Sequence, residues 1–388
     1  LSLYRNLFQF YQARRTRFLA HDSLQENGPL VLIDTFVLPG FIEKDRNYTG
    51  IEDNLTGDEK KCVHFVPTFY GFATREYLSV FQRLRKSSRN FLIKEDYLKP
   101  IDYFFAFGHI WRIWKLKIPH VRFNQVDLSM LVKEELYSMK GLATAVLALL
   151  NYRFSLRLYQ TGVRIKRVIN WFENQARDKG WNAGFKQFFP KIECIGFQGF
   201  ITSSHYLCSF PTEFEHQNGL LPSEIAVIGE GHVNSRKEFF PNLKVNVAPA
   251  FRFNNVWKER NYFPDSKYFT VLIALPIILE EASMLLRMMT QSLEHLHSPQ
   301  LRIWVKPHPT NSPHQIKQAF SQIWPKQFIF VKGTFNECVE KSNLLLGNIS
   351  SSSLEALAKG IPVIIVGNPN GLTHNPIHKN ITEDIWCL

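Results

Sequence analysis

The sequence predicts an α/β protein of two domains, each built on a parallel sheet, and three observations carry this. From Lys267 onward, short β-rich runs alternate with helical patterns at the spacing of βαβ units. Runs such as VLIALPI (271–277) and PVIIVG (362–367) are apolar throughout, as strands covered on both faces must be. The chain has 388 residues, 45% hydrophobic and 21% charged, which suffices for two or three domains and excludes a disordered chain or a small disulfide scaffold.

In the carboxyl-terminal series, strands are expected at 268–276, 301–306, 328–331, 344–348 and 362–366, with helices at 280–296, 314–323, 335–341 and 352–359 between them. The middle of the chain repeats the alternation. Its strands are expected at 164–171, 191–197, 207–210, 224–229 and 244–248, and its helices at 175–189, 213–218 and 233–240. Upstream, 30–36, 62–68 and 102–107 are further candidate strands, and 125–159 reads as a mostly helical insertion whose apolar stripe is core. The stretch FRFNNVWKERNYFPDS (251–266) is polar and turn-rich. It divides the chain into an acceptor-side domain, 1–255, and a nucleotide-side domain, 256–388. In open parallel sheets ligands bind at the carboxyl ends of strands, so the motifs should sit there.

Lys plus Arg number 46 against 34 Asp plus Glu, a formal charge of +12, which favours an anionic partner without choosing among them. A nucleic-acid partner is not expected. The 33 Phe and 8 Trp read as members of strands and helix stripes, as in FFAFGHIWRIW (104–114), and no nucleic-acid-binding signature accompanies them. The five cysteines are scattered without CxxC spacing and read as buried thiols of a reducing cytoplasm. The longest apolar stretches, 142–150 and 271–279, fall short of the roughly 20 residues a membrane span needs. No signal peptide is expected, although the chain opens on Leu1 rather than Met, which leaves any leading segment unread. Four N-x-S/T triplets (Asn47, Asn54, Asn348, Asn380) are read as chance occurrences.

Two motifs stand at expected strand ends. The strand at 301–306 runs into KPHPT (306–310), where two prolines hold the chain extended around His308 and present its imidazole beside Lys306. Both groups suit phosphate oxygens, and the alternative is a rigid strand exit with an incidental histidine. About forty residues on, Asn348 is followed by Ser350, Ser351, Ser352 and Ser353 and then by LEALAKG. One serine satisfies a helix cap; four leave hydroxyls over, and with the helix N–H groups they can form an anion site. The alternative is capping alone.

The segment KPHP followed by SSSLEALAKGIPVIIV (351–366) resembles the donor-binding half of GT-B glycosyltransferases, especially the bacterial sialyltransferases, polysialyltransferases and Kdo transferases that use CMP-activated sugars. In those families a His-Pro and a Ser-Ser motif bind the nucleotide phosphate. The resemblance places them on His308-Pro309 and on Ser351-Ser352 or an adjacent pair, with Lys306 and Glu355 counted in the donor set. More broadly, WFENQARDKGWNAGF (171–185), IGFQGF (195–200), SFPTEFEHQNGLLPSEIAVIGEG (209–231) and KVNVAPAFRF (244–253) resemble a family of bacterial surface-carbohydrate biosynthesis proteins, over roughly residues 160–370. This implies a GT-B-like fold of two Rossmann-like domains facing a central cleft, and metal-independent transfer from a nucleotide-sugar, with no other cofactor. The expected partners are the nucleotide-sugar and a capsule or lipopolysaccharide glycan, free or lipid-linked.

The acidic signature that often supplies the base in those enzymes has no convincing copy in the amino-terminal half. Glu173 in WFENQ, at the end of an expected strand, is the best substitute, with Glu213 second; the alternative for Glu173 is a carboxylate paired with a helix dipole. Asn174 and Gln175 are candidates for sugar hydroxyls, and Gly229 and Gly231 for close backbone approach to a ligand. Thr212 with Glu215 reads as a capping box. His205, His216, His232 and His314 lack partners at metal spacing, so no metal is expected. The basic, aromatic segment RNLFQFYQARRTRF (5–18) suggests peripheral contact with an anionic inner membrane, the alternative being a solvated helix packed on the core. A CDP-polyol phosphotransferase, a UDP-sugar transferase and a sugar-nucleotide epimerase remain alternatives on the same architecture.

Overall fold

In the computed structural model, which describes residues 2–19, 28–43, 45–202, 206–256, 267–296, 298–348, 350–368 and 386–387, the basic amino-terminal segment is helix α1 (Ser2–Arg15) and LVLIDTFV is strand β1 (Leu30–Val37). Helix α2 (Gly57–Cys62), opened by a Thr56–Glu59 capping box, leads into β2 (Val63–Phe69) and α3 (Tyr77–Lys86). The insertion holds α4 (Pro100–Phe107), α5 (His109–Trp114), the ribbon β3 (Arg122–Phe123) and β4 (Val126–Asp127), α6 (Ser129–Tyr137) and the 22-residue α7 (Met139–Gln160). Strands and helices then alternate: β5 (Ile165–Trp171), α8 (Ala176–Phe188), β6 (Glu193–Gln198), α9 (Glu213–Gln217), β7 (Glu224–Val227), α10 (Val233–Arg236) and β8 (Val245–Val247).

These six longer-range strands pair in parallel in the order β2-β1-β5-β6-β7-β8. On one face, Leu30, Leu32, Val168 and Cys194 pack against Leu150, Phe154 and Leu158 of α7 and Trp181 and Phe185 of α8. The helices approach so closely that a Cβ on Gly180 would lie 1.9 Å from the Ala148 carbonyl oxygen, and one on Gly184 would lie 2.2 Å from Ser155 Oγ. The other face is covered by α3 and α1 around Phe81, Tyr77 and Ala13, and further along by Phe172, Leu221 and Phe240. Within α1, Arg5 donates to the Tyr77 hydroxyl at 2.8 Å and Arg14 to the Leu98 carbonyl at 3.0 Å, so two of its arginines serve packing.

The second series is β9 (Phe269–Ala274), α11 (Leu279–Leu293), β10 (Leu301–Lys306), α12 (Pro313–Phe320), β11 (Phe328–Phe330), α13 (Phe335–Val339), β12 (Leu344–Gly347), α14 (Ser351–Ala358), β13 (Val363–Ile365) and β14 (Trp386–Cys387). Its sheet is again parallel, in the order β11-β10-β9-β12-β13-β14. Helices α11 and α12 bury one face and α13 and α14 the other. Two compact units result: Leu1–Gly199 with Cys208–Arg252, and Phe200–Leu207 with Phe253–Leu388. The chain thus has the expected α/β fold of two parallel, Rossmann-like sheets.

Two secondary-structure expectations are corrected. Residues 102–107 are helical because Pro100 sits in the first turn and the Asp102 carboxylate accepts the Lys99 N–H at 2.7 Å, closing a helix start where the apolar run suggested a strand. The stretch 207–210 is a 3-10 turn over Leu207–Ser209, ended by Pro211 ahead of the Thr212 cap. The aromatics of 104–114 stand in helices α4 and α5, where Phe107 packs against the core while Phe104, Trp111 and Trp114 are 74%, 61% and 67% exposed. Among the cysteines whose side chains are described no disulfide forms: Cys194 and Cys338 are buried, Cys62 is half-buried, and Cys208 is exposed against expectation. His205, Asn380 and most of the boundary stretch, 257–266, lie outside the described residues. Among the described residues, no helix is long and apolar enough to cross a membrane.

Candidate functional site

In the second unit, β9 has its sequence successor β10 on one side and β12 on the other, so its carboxyl end is the point where the strand order reverses. Both sequence motifs leave the sheet there. Lys306, Ala274 and Gly347 stand in one row across β10, β9 and β12. KPHPT follows the first of these strands and the serine run the last, one strand apart across roughly 10 Å. The Lys306 ammonium donates to the Gly333 carbonyl. The Thr310 N–H donates to His308 Nδ1 at 3.3 Å, with the Thr310 hydroxyl 2.7 Å from the same nitrogen. Because a backbone N–H can only donate, Nδ1 is the acceptor, and the neutral ring carries its proton on Nε2, a donor suited to a phosphate oxygen.

The loops are tied together. The Asn311 side chain donates to the Ile277 carbonyl at 2.9 Å, and Asn348, buried at the end of β12, reaches Glu281 in the first turn of α11 at 3.4 Å. Helix α14 begins with Ser350 as its cap, whose hydroxyl accepts the Ser352 N–H at 3.3 Å. Capping uses that one hydroxyl. The Ser352 and Ser353 hydroxyl oxygens are buried and have no hydrogen-bond partner. Ser351 and Glu355 occupy the first two turns of the helix, both half-buried, and Pro309 holds the preceding loop rigid. The helix stops in a Schellman arrangement: the Ile361 N–H reaches the Ala356 carbonyl and the Gly360 N–H that of Leu357, with Gly360 at φ +77.

In the first unit the reversal falls between β1 and β5. Glu173 follows β5 at that point. Its carboxylate accepts from Trp171 Nε1 at 2.8 Å and Gln175 Nε2 at 2.6 Å, and the Arg177 guanidinium lies 3.6 Å away. Its side chain keeps 26% exposure, so solvent still reaches it. Asn174 is buried at φ +58, a left-handed conformation that asparagine tolerates better than most residues. Its amide donates to the Cys208 carbonyl at 3.0 Å and contacts Glu215, and Lys179 donates to its oxygen at 3.3 Å. These contacts pin the segment 208–215 to the β5 exit. Glu213 is solvent-exposed at the start of α9, while the Thr212–Glu215 capping box forms as expected. Gly229 is in extended backbone, and a Cβ there would meet nothing within 4 Å; Gly231 follows in a 3-10 turn. Open space at this strand end leaves room for a ligand, but no steric demand calls for glycine.

Sequence reasoning passed over a polar cluster beside Glu173. Asp34 of β1 is buried and accepts from the Thr68 hydroxyl at 3.0 Å. Lys94 donates to Asn151 at 3.0 Å, and Asn151 donates to the Arg177 carbonyl at 3.2 Å. Burial pushes the Asp34 carboxyl above its ordinary range against the pull of Lys94 and Arg177, and burial likewise pulls the Lys94 ammonium down. Asp178 accepts the Glu173 and Gln175 N–H groups at 2.9 and 3.0 Å, yet burial raises its pKa to about 7. Asn170, which follows Ile33's partner Ile169 on β5, is buried with both amide atoms unpartnered. The available signal was a charged residue inside an otherwise apolar strand, Asp34 in LVLIDTFV. Among the described residues, no three His, Cys, Asp or Glu side chains group as a metal site.

No protein-family model matches the chain, and no curated protein does. Solved structures similar to it include S. aureus MnaA with UDP, at 10% identity over 92% of this chain and 84% of that one, with a TM-score of 0.49. The UDP-GlcNAc 2-epimerase from Neisseria meningitidis bound to UDP-GlcNAc is 14% identical over 86% and 81%, with a TM-score of 0.45. MurG from Acinetobacter baumannii is 11% identical over 89% and 80%, with a TM-score of 0.43. Likeness at this level concerns the course of the chain and not its chemistry.

Proposed function

We propose that this chain is a GT-B glycosyltransferase that binds a nucleotide-sugar, CMP-linked by preference, at the reversal point of its second sheet and transfers a Kdo- or sialic-acid-like sugar to a bacterial surface glycan. The observation that carries the reading is that the His308 loop and the α14 serines leave the sheet one strand apart at that point, with two buried serine hydroxyls left without partners. Such hydroxyls cost stability unless a ligand satisfies them. The nucleotide's phosphate is the group that fits: it accepts from His308 Nε2, from serine hydroxyls and from the N–H groups of a helix start whose dipole favours an anion.

In the reaction, an acceptor hydroxyl oxygen bonds to the anomeric carbon as the bond from that carbon to the phosphate oxygen breaks. The acceptor proton passes to Glu173, the first-choice base, and the electron pair leaves with the nucleotide, whose growing charge Lys306 and His308 offset. Asn174 and Gln175, first read as sugar contacts, act through their neighbours: Asn174 holds the 208–215 segment and Gln175 orients Glu173. The test is release of CMP from CMP-Kdo and CMP-sialic acid, followed with and without a lipopolysaccharide or capsule acceptor. Acceptor-dependent release supports transfer. Release from UDP-sugars alone moves the donor, and free sugar isomers formed without any acceptor make the chain an epimerase.

A further inference from the structure

We infer that the outer layer of the first unit, formed by α4, α5, the β3–β4 ribbon and α6, is a docking surface for an anionic lipid bilayer. Helices α4, α5 and α6 each pack on α7. Ile101 and Phe104 share one face of α4, and Trp111 and Trp114 share one face of α5, each pair three residues apart. The inward positions are different residues: Asp102, Tyr103, Ala106 and Ile113 are buried. In the ribbon, Asn124 and Gln125 take φ +44 and +70, the two-residue hairpin turn that lifts Phe123 and Val126 to its tip, and both are exposed. Met130 of α6 is 75% exposed. Large apolar side chains gathered on a surface mark an interaction site, and tryptophan in particular suits the boundary between hydrocarbon and water.

Charge selects the partner. Residues 103–126 contain Arg112, Lys115, Lys117 and Arg122 and no Asp or Glu. The nearest carboxylates are already engaged: Asp102 lies buried under Arg153 and Arg157, and Asp127 accepts the Ser129 N–H and lies 3.3 Å from His120. Exposed tryptophan interleaved with lysine and arginine, with Glu134 and Glu135 confined to α6, matches an anionic headgroup layer above acyl chains. The Asp102 ion pairs hold α4 rigidly on α7, so the surface exists before it meets a membrane. This site differs from the one suggested by α1, two of whose arginines are turned to packing, and it holds whatever reaction the chain performs.

The test is flotation of the full chain with phosphatidylcholine vesicles, with and without phosphatidylglycerol, at low and high salt, together with the tryptophan emission spectrum. Wild type is expected to float with the phosphatidylglycerol vesicles and to shift its emission to the blue, and high salt should weaken but not abolish the binding. Trp111→Ser with Trp114→Ser should lower partitioning at least about tenfold, and Lys115→Gln, Lys117→Gln and Arg122→Gln together should erase the salt dependence. All five positions are exposed, so circular dichroism and Tm should stay at wild-type values. Unchanged partitioning in the tryptophan variant overturns the inference, as does loss of binding on Phe18→Ser with the tryptophan variant unaffected. Absence of vesicle binding by the wild type overturns it too, whether or not the tryptophans then prove to hold two copies of the chain together in solution.

Discussion

Replacing Asp102 by asparagine should destabilise the first unit severely. The carboxylate is fully buried and takes Arg153 Nε at 2.7 Å, Arg157 Nε at 2.8 Å, a second Arg157 nitrogen at 2.8 Å and the Lys99 N–H at 2.7 Å. The two guanidinium side chains are only 18% and 9% exposed, so the variant leaves two cations facing an amide with little solvent to take them up. Breaking a buried pair of this kind costs about 3–5 kcal/mol. For a unit of this size that is a fall in Tm of roughly 6–20 °C. Burial alone would raise the Asp102 carboxyl, but the bonds from Arg157, Lys99 and Arg153 bring it below the ordinary range. The folded pKa is therefore below the unfolded one, so the stabilisation is present above pH ~4 and lost as pH falls through the folded value. Thermal melts of wild type and variant across pH should show the full gap at pH 7, narrowing below pH ~4. Asp58→Asn, which removes the exposed pair with Lys61, serves as control and should change stability by less than about 1 kcal/mol. A gap for Asp102→Asn no larger than the control's would refute the reasoning.

Gly180→Ala should destabilise by roughly 1–3 kcal/mol in denaturant titration, because the clash with the Ala148 carbonyl outweighs the better helix propensity of alanine. Asp178 has its folded pKa raised to about 7, so its contribution is full below pH ~4 and lost as pH rises through 7; the Tm of Asp178→Asn should gain on wild type across that window. Glu173→Gln should cut turnover by roughly a hundredfold or more with nucleotide affinity unchanged, and Glu213→Gln, at an exposed helix start, should do much less. The reverse ranking moves the base to the α9 loop.

The second unit was legible almost strand by strand, because strands buried on both faces carry uninterrupted apolar runs that end at Gly, Pro or capping residues. Its candidate site was legible for the same reason: KPHPT and the serines stand at strand ends, where chain order alone places them. That β9 lies between their strands was not legible, since sheet order depends on crossovers that local pattern does not encode. In the first unit, Pro100 and Asp102 mark a helix start that the apolar run YFFAF masked, and the same run hid the fact that Phe104 faces solvent. Periodicity separates faces only when one of them is polar. The cluster of Asp34, Lys94, Asn151 and Arg177 joins four separate segments, and only the carboxylate inside β1 announced it.

Nucleotide binding by the serine variants tests the central claim most directly. Ser350→Ala removes a helix cap and should cost about 1 kcal/mol of stability. Ser352→Ala removes a buried hydroxyl that has no partner in the protein and should leave stability unchanged or higher. If that hydroxyl is kept for the phosphate, titration calorimetry with CMP should show Ser352→Ala and His308→Ala each weakening binding roughly 10- to 100-fold, at about 1.5–3 kcal/mol per lost charge-assisted bond. CMP affinity equal to wild type in both variants would contradict the account.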